Sequence, residues 1–97
     1  MSFVQIVEFH TSRWEDWRAQ IDEYQKSSEG KRTGRRVVVG RDRNDPNHFF
    51  TMAFFDSYES AMENSNLPET QQLAEKLREL ADGPATFRDL DVVEERS

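Results

Sequence analysis

From Phe3 to Phe9 the apolar and polar positions follow the two-residue period of a strand. Phe3, Gln5, Val7 and Phe9 fall on one side, and Val4, Ile6, Glu8 and His10 on the other. The period then lengthens. Trp14, Trp17, Ile21 and Tyr24 recur at helical spacing, predicting a helix over about Arg13–Gln25, with Ser12 and Glu15 as a capping box and Ser27–Gly30 as its end. "GKRTGRRVVVGR" reads as a second strand. "DRNDPN" is dense in turn-forming residues, so Val37–Gly40 and His48–Phe55 should pair as a hairpin.

After Phe55, Asp56 and Glu59 suggest a second capping box before a short helix with Tyr58, Ala61 and Met62 inward. "NLPETQQLAEKLRELADG" is a longer helix, started by Asn66 and Pro68, carrying Leu73, Ala74, Leu77, Leu80 and Ala81 on one stripe, and stopped at Gly83. "ATFRDLDVVEE" closes the chain as a last strand. The order β-α-β-β-α-α-β is a ferredoxin-like α+β plan with one helix divided. Right-handed crossovers make the first and second strands parallel and put the third between them. The expected sheet is four-stranded and antiparallel, in the order 4-1-3-2, with all helices on one face. The 97 residues have room for one such domain, spanning 1–97.

Two runs break the alternation. Val37-Val38-Val39 and Phe49-Phe50-Thr51-Met52-Ala53-Phe54-Phe55 are apolar on both sides, so the sheet face away from the helices also needs a cover. Burying another ~500 Å² per chain is worth on the order of 12 kcal/mol before association costs. A second copy of the chain, sheet against sheet as a homodimer, is the expected cover. Either the Phe50/Met52/Phe54 set or the Phe49/Thr51/Ala53/Phe55 set would face it. The smaller Thr51 and Ala53 suit close sheet contact and are expected on that side.

Composition narrows the class. Thirty-three per cent of residues are charged, 11% are aromatic, and there is no cysteine, which excludes disulfides and thiolate metal sites. "MSFVQIVEFH" lacks the basic region and apolar core of a signal peptide, and no run is long enough for a membrane span. These features lead to the expectation of a soluble, cytoplasmic protein. Six Lys/Arg cluster in "KRTGRRVVVGRDR". On an edge strand they discourage wrong pairing, and a pI near 4.9 speaks against nucleic acid and anionic membrane as partners.

The stretch "FFDSYESAMENSNLPETQQLAEKL" after a strand, followed by "FRDLDV" as closing strand, resembles the dimeric α/β-barrel superfamily, in particular the small antibiotic-biosynthesis-monooxygenase-like proteins. The resemblance implies two sheets paired into a barrel and a small-molecule pocket between each sheet and its helices. It also implies cofactor-independent oxygenation of an aromatic or apolar metabolite, or a non-catalytic dimeric binding module. Haem-degrading members of the superfamily use an Asn, a Trp and a His at set strand and helix positions. That trio cannot be placed here, because both tryptophans lie in the first helix.

Candidate chemistry collects at one end of the sheet. The first and third strands are antiparallel neighbours, which brings His10 and His48 together, and Glu8 lies about 7 Å along the strand from His10 on the same face. A histidine beside a carboxylate suits a general base, so His10, His48 and Glu8 are the catalytic candidates; the alternative is a solvated rim. Trp14 and Trp17, facing Phe50, Met52 and Phe54, are the ligand-binding candidates; the alternative is plain core. A cavity between sheet and helices reached by a histidine would favour a binding site, and one filled by the tryptophans a non-catalytic module. The histidines with Asp42, Asp45 or Asp82 could make a metal set, but their spacing matches no metal motif and no metal is expected. With no Gly-rich phosphate loop, nucleophile elbow or nucleotide fingerprint, no cofactor is expected either.

Overall fold

The computed structural model describes residues 2–97. Its elements are β1 (Phe3–His10), α1 (Trp14–Ser27), β2 (Arg36–Arg41), β3 (His48–Phe55), α2 (Tyr58–Ser65), α3 (Pro68–Leu80) and β4 (Thr86–Asp91). The four strands form one antiparallel sheet in the order β2-β3-β1-β4, as the sequence pattern predicts. β1 and β3 are central, and β2 and β4 are the edges.

The helix starts differ from the sequence motifs. α1 begins at N-cap Arg13, with no side-chain cap, while Ser12 gives its backbone N–H to Asp82 Oδ2 at 2.7 Å. The capping box of α2 is displaced by one residue: Ser57, not Asp56, accepts the Ser60 N–H at 3.0 Å. Asp56 is occupied elsewhere, forming a two-pronged ion pair with Arg35 at 2.6–3.0 Å. Leu67 precedes Pro68 at the N-terminus of α3, where the missing proline N–H costs nothing. That helix ends at Leu80, before Gly83, whose φ of +105° suits a residue without a Cβ.

Side-chain alternation divides β1 and β3 cleanly. Phe9, Phe49 and Trp17 form one buried cluster, closed by Val7, Trp14, Ile21, Leu77 and Leu80. Phe3, Phe55 and Ala61 form a second at the other end, with Ala53 and Met62 packed against it. The first is a stack of rings: Trp17 lies flat on Phe9 with centroids 4.1 Å apart, Phe49 lies 5.4 Å from Phe9, and Trp14 covers Phe49 at 4.7 Å. Ala74, placed on the α3 stripe by spacing, is exposed.

Thr51 and Ala53 therefore face the helices, contrary to the expectation that they meet a partner. Phe49 and Phe55 are both committed to the helix side, and a two-residue period sends every odd position between them the same way. The bare face carries Val4, Ile6, Phe50, Met52, Phe54, Val38 and Leu90 instead. The helix layer is also narrower than the sheet. Val37, Val39 and Phe87, on the helix side of the edge strands, remain 53%, 42% and 65% exposed.

Phe49 is 1% exposed and holds β3 to both tryptophan-bearing turns of α1. Phe49→Ala is expected to cost about 3–5 kcal/mol, read from the urea midpoint of unfolding. An equal substitution at Phe87, which nothing covers, should change that midpoint little.

Candidate functional site

Two places on the sheet gather polar groups, and they lie on opposite faces. The first is a cleft between sheet and helices. Gln5 and its register partner Ala53 sit between the two aromatic clusters, where one side chain is polar and the other small, so the core is left open. The resulting cleft of about 420 Å³ is lined by Gln5, Ala53, Phe55 and Leu73 with Tyr24, Arg32, Asn64 and Thr70.

Hydrogen bonds fix its polar wall. The Tyr24 hydroxyl lies 2.8 Å from Thr70 Oγ1 and accepts from Asn64 Nδ2 at 3.3 Å. Asn64 Oδ1 in turn accepts the Thr33 N–H at 3.1 Å, and the Thr33 hydroxyl donates to the Ser60 carbonyl at 2.6 Å. Residues of α1, α2, α3 and the α1–β2 loop are thus tied together around the cleft. Arg32 pairs with Gln25 through its terminal nitrogens, while its Nε is buried without an acceptor among the described residues. Behind the wall, Lys31 Nζ meets Glu69 Oε2 at 2.5 Å. That hydrogen bond, aided by a backbone one at the start of α3, holds the Glu69 carboxyl below its ordinary value.

The second place is the histidine end of the bare face. His10 and His48 are direct register partners, and their rings stack with centroids 4.2 Å apart and planes 11° apart. Glu8 Oε2 lies 2.7 Å from His48 Nε2, and Asp42 Oδ2 lies 3.6 Å from His48 Nδ1. A shallow groove of about 400 Å³ adjoins them, lined by Ile6, Glu8, Asp42, Phe50, Met52 and Arg88.

The candidates named from sequence are thereby divided. His10, His48 and Glu8 do come together, and Phe50 and Met52 lie beside them. Trp14 and Trp17 are on the other side of the sheet, stacked into the core, and face neither Phe50, Met52 nor Phe54. Nor does either histidine line the sheet–helix cleft. The reason is parity: even positions of β1 and β3 point away from the helices. Tyr24, Asn64, Thr70 and Arg32 escaped the sequence reading because they come from four separate segments. Gln5 did carry a signal, as the polar residue on an otherwise apolar, core-facing side of β1.

No family model and no curated protein matches the sequence. Solved structures do. SnoaB from Streptomyces nogalater, a cofactor-independent oxygenase, superposes with a TM-score of 0.82 at 12% identity, covering 97% of this chain and 95% of that one. An antibiotic biosynthesis monooxygenase superposes at 0.77 with 14% identity, covering 97% and 100%. The fold is that of the antibiotic biosynthesis monooxygenases. Rv0793 from Mycobacterium tuberculosis shares the same arrangement over the whole of both chains, with a TM-score of 0.81 at 15% identity. In this monooxygenase-like fold the sheet of a single chain is open at both edges, and none of its described helices is long and apolar enough to cross a membrane.

Because the Glu69 carboxyl is held low, its pair with Lys31 stabilises the fold above the ordinary pKa of 4.5 and loses that contribution as pH falls through the lower folded value. Glu69→Gln should lower the urea midpoint at pH 7, and the gap from the parent protein should close on acidification well below pH ~4.3. A gap that persists at pH 2 would point to lost packing instead.

Proposed function

We propose that the chain binds a small, readily ionised aromatic molecule in the sheet–helix cleft, as a homodimer paired through the bare sheet face, and oxygenates it without a cofactor. The observation that carries this reading is the make-up of the cleft wall. Tyr24, Asn64, Thr70 and Gln5 offer neutral hydrogen-bonding groups, the Arg32 guanidinium brings positive charge, and among the described residues no carboxylate or imidazole lines the space. A guanidinium in an otherwise neutral wall favours a ligand oxygen that is an anion. The likeness to SnoaB supports the reaction class.

The chemistry then belongs to the substrate. A methylene flanked by aromatic rings ionises by giving its proton to solvent water, which later returns one to the peroxide, and its carbanion passes an electron to dioxygen. The resulting radical pair combines to a hydroperoxide, which loses water and leaves a carbonyl. One oxygen atom enters the product and the other leaves as water, with the substrate as sole reductant. The protein's part is to hold the anion, using Arg32 and the Tyr24–Asn64–Thr70 chain, and to keep water from it. His10, His48 and Glu8 face away from this cleft and take no part in the step.

The homodimer follows from the bare face. Ile6, Phe50, Met52 and Phe54, flanked by the 39%-exposed Val38 and 45%-exposed Leu90, give this face an apolar centre, bordered by Arg88 opposite Ile6 and by Arg36 over the Phe54 ring.

A hydroxylated anthrone, whose anion reduces dioxygen directly, is a suitable probe. In buffer containing EDTA, oxygen uptake should be accelerated by the protein and fall at least tenfold in Arg32→Ala. Binding of the anthrone at one per chain without faster uptake would instead favour the non-catalytic module; neither binding nor uptake would remove the cleft reading. Met52→Glu should convert a sedimenting dimer to an 11.4 kDa monomer, because a carboxylate buried between sheets has no partner. A wild-type chain that is monomeric at micromolar concentration would refute the pairing.

A further inference from the structure

We propose that His10, Asp45 and His48 bind one late-transition divalent cation, such as zinc, at the histidine end of the bare sheet face. Each offers a ligand atom, and these atoms all lie within 4.8 Å of one another. Nothing in the proposed oxygenation uses this cluster, and it stands or falls independently of that reaction, though it shares the bare face with the proposed dimer contact.

The strand pairing does most of the assembly. His10 and His48 are opposite one another in the β1–β3 ladder, so both imidazoles leave the same face. The β2–β3 loop brings the carboxylates back over them. Asp42 N donates to the His48 carbonyl at 2.9 Å, and His48 N donates to the Asp45 carbonyl at 3.2 Å. Within the loop, Asp42 Oδ1 accepts from Asn44 N at 2.7 Å and Asp45 Oδ1 from Asn47 N at 3.0 Å. Each aspartate thus uses one oxygen to shape the loop and keeps the other free of those turns.

Glu8 supplies the support that metal-binding histidines usually have. Its Oε2 is 2.7 Å from His48 Nε2, and in the tautomer where Nε2–H donates to it, Nδ1 carries the lone pair. That lone pair faces Asp42 Oδ2 across 3.6 Å, too far for a hydrogen bond and set between two electron donors. Ligand atoms on a tetrahedral zinc, at bond lengths of about 2.1 Å, stand roughly 3.4 Å apart. That separation is of the size two ligands of one ion show, while Asp42 stands outside the three residues whose ligand atoms all lie within 4.8 Å of one another.

The imidazole planes are stacked, so one ring has to turn for both nitrogens to converge. His10 is exposed, and rotation about its second side-chain torsion is soft. Two imidazoles with carboxylates select zinc, cobalt, nickel or copper over magnesium and calcium, which take oxygen ligands. Sequence spacing gave no sign of the site, because its residues lie 35 and 38 positions apart along the chain and meet only through the ladder.

The test uses the full chain, stripped with EDTA and dialysed, and takes zinc chloride as probe. Calorimetry should show one ion per chain. Because the chain has only two histidines, nitrogen-15 spectra of the side chains give a direct reading: both rings should respond to one equivalent of zinc and neither to magnesium. His10→Ala and Asp45→Asn should each weaken binding at least tenfold, and Glu8→Gln by 10–100-fold. Response of one ring only, less than one ion per chain, or full affinity in His10→Ala would overturn the proposal. His10 is exposed, so that variant reports on binding even if a His48 variant fails to fold.

Discussion

The helix layer and both polar clusters of this chain depend on the register of β1 against β3. Phe9 opposite Phe49 and Phe3 opposite Phe55 place two aromatic anchors at each end of the central pair, both on the helix side. Each anchor recruits a different part of the helix layer. Phe9 and Phe49 take the tryptophans of α1 and the leucines of α3, while Phe3 and Phe55 take Ala61 and Met62 of α2. Shifting β3 by one residue against β1 would turn Phe49 and Phe55 to the bare face and part them from Phe9, Phe3 and the helices.

The same ladder makes room for the cleft and for the histidine cluster. Between the anchors, Gln5 and Ala53 are too polar and too small to continue the core, and the cleft opens there rather than at the tryptophan end. On the reverse side, parity sends His10, His48 and Glu8 away from the helices and into one another. A single strand pair thus carries a neutral, arginine-walled cleft on one face and an acid–imidazole cluster on the other. The sheet between them keeps their chemistries apart.

Loop contacts hold the histidine end in place. Thr11, fully buried, donates its hydroxyl to the Leu80 carbonyl at 2.8 Å, and its backbone N–H bonds the Asn47 carbonyl at 2.9 Å. Asp82 gives its N–H to the His10 carbonyl at 2.8 Å. Three connections, β1–α1, β2–β3 and α3–β4, are therefore joined at one point. The cleft has its own equivalent in the Tyr24–Asn64–Thr33 chain, which spans helices and loop rather than strands. Buried polar groups that satisfy one another in this way favour a single arrangement over its neighbours.

Element order, sheet order and the division of β1 into two faces were legible in the sequence, because two-residue and 3.6-residue periods and turn-forming clusters are local signals. So was the meeting of His10 with His48, since antiparallel neighbours align their ends. Which of the two faces of β1 meets the helices was not, and neither was the facing of β3. Phe49–Phe55 is apolar on both sides, so its period has no amplitude, and only packing against Phe9 and Phe3 chose the side. For the same reason Trp14 and Trp17 could not be matched to Phe50, Met52 and Phe54 or separated from them. The capping residue of α2 depended on which acceptor Arg35 left free, and Tyr24, Asn64, Thr70 and Arg32 became neighbours only when three helices closed over the sheet. Local periodicity decides which residues share a face. Which face is covered, and what meets across it, is decided by contacts between segments far apart in the chain.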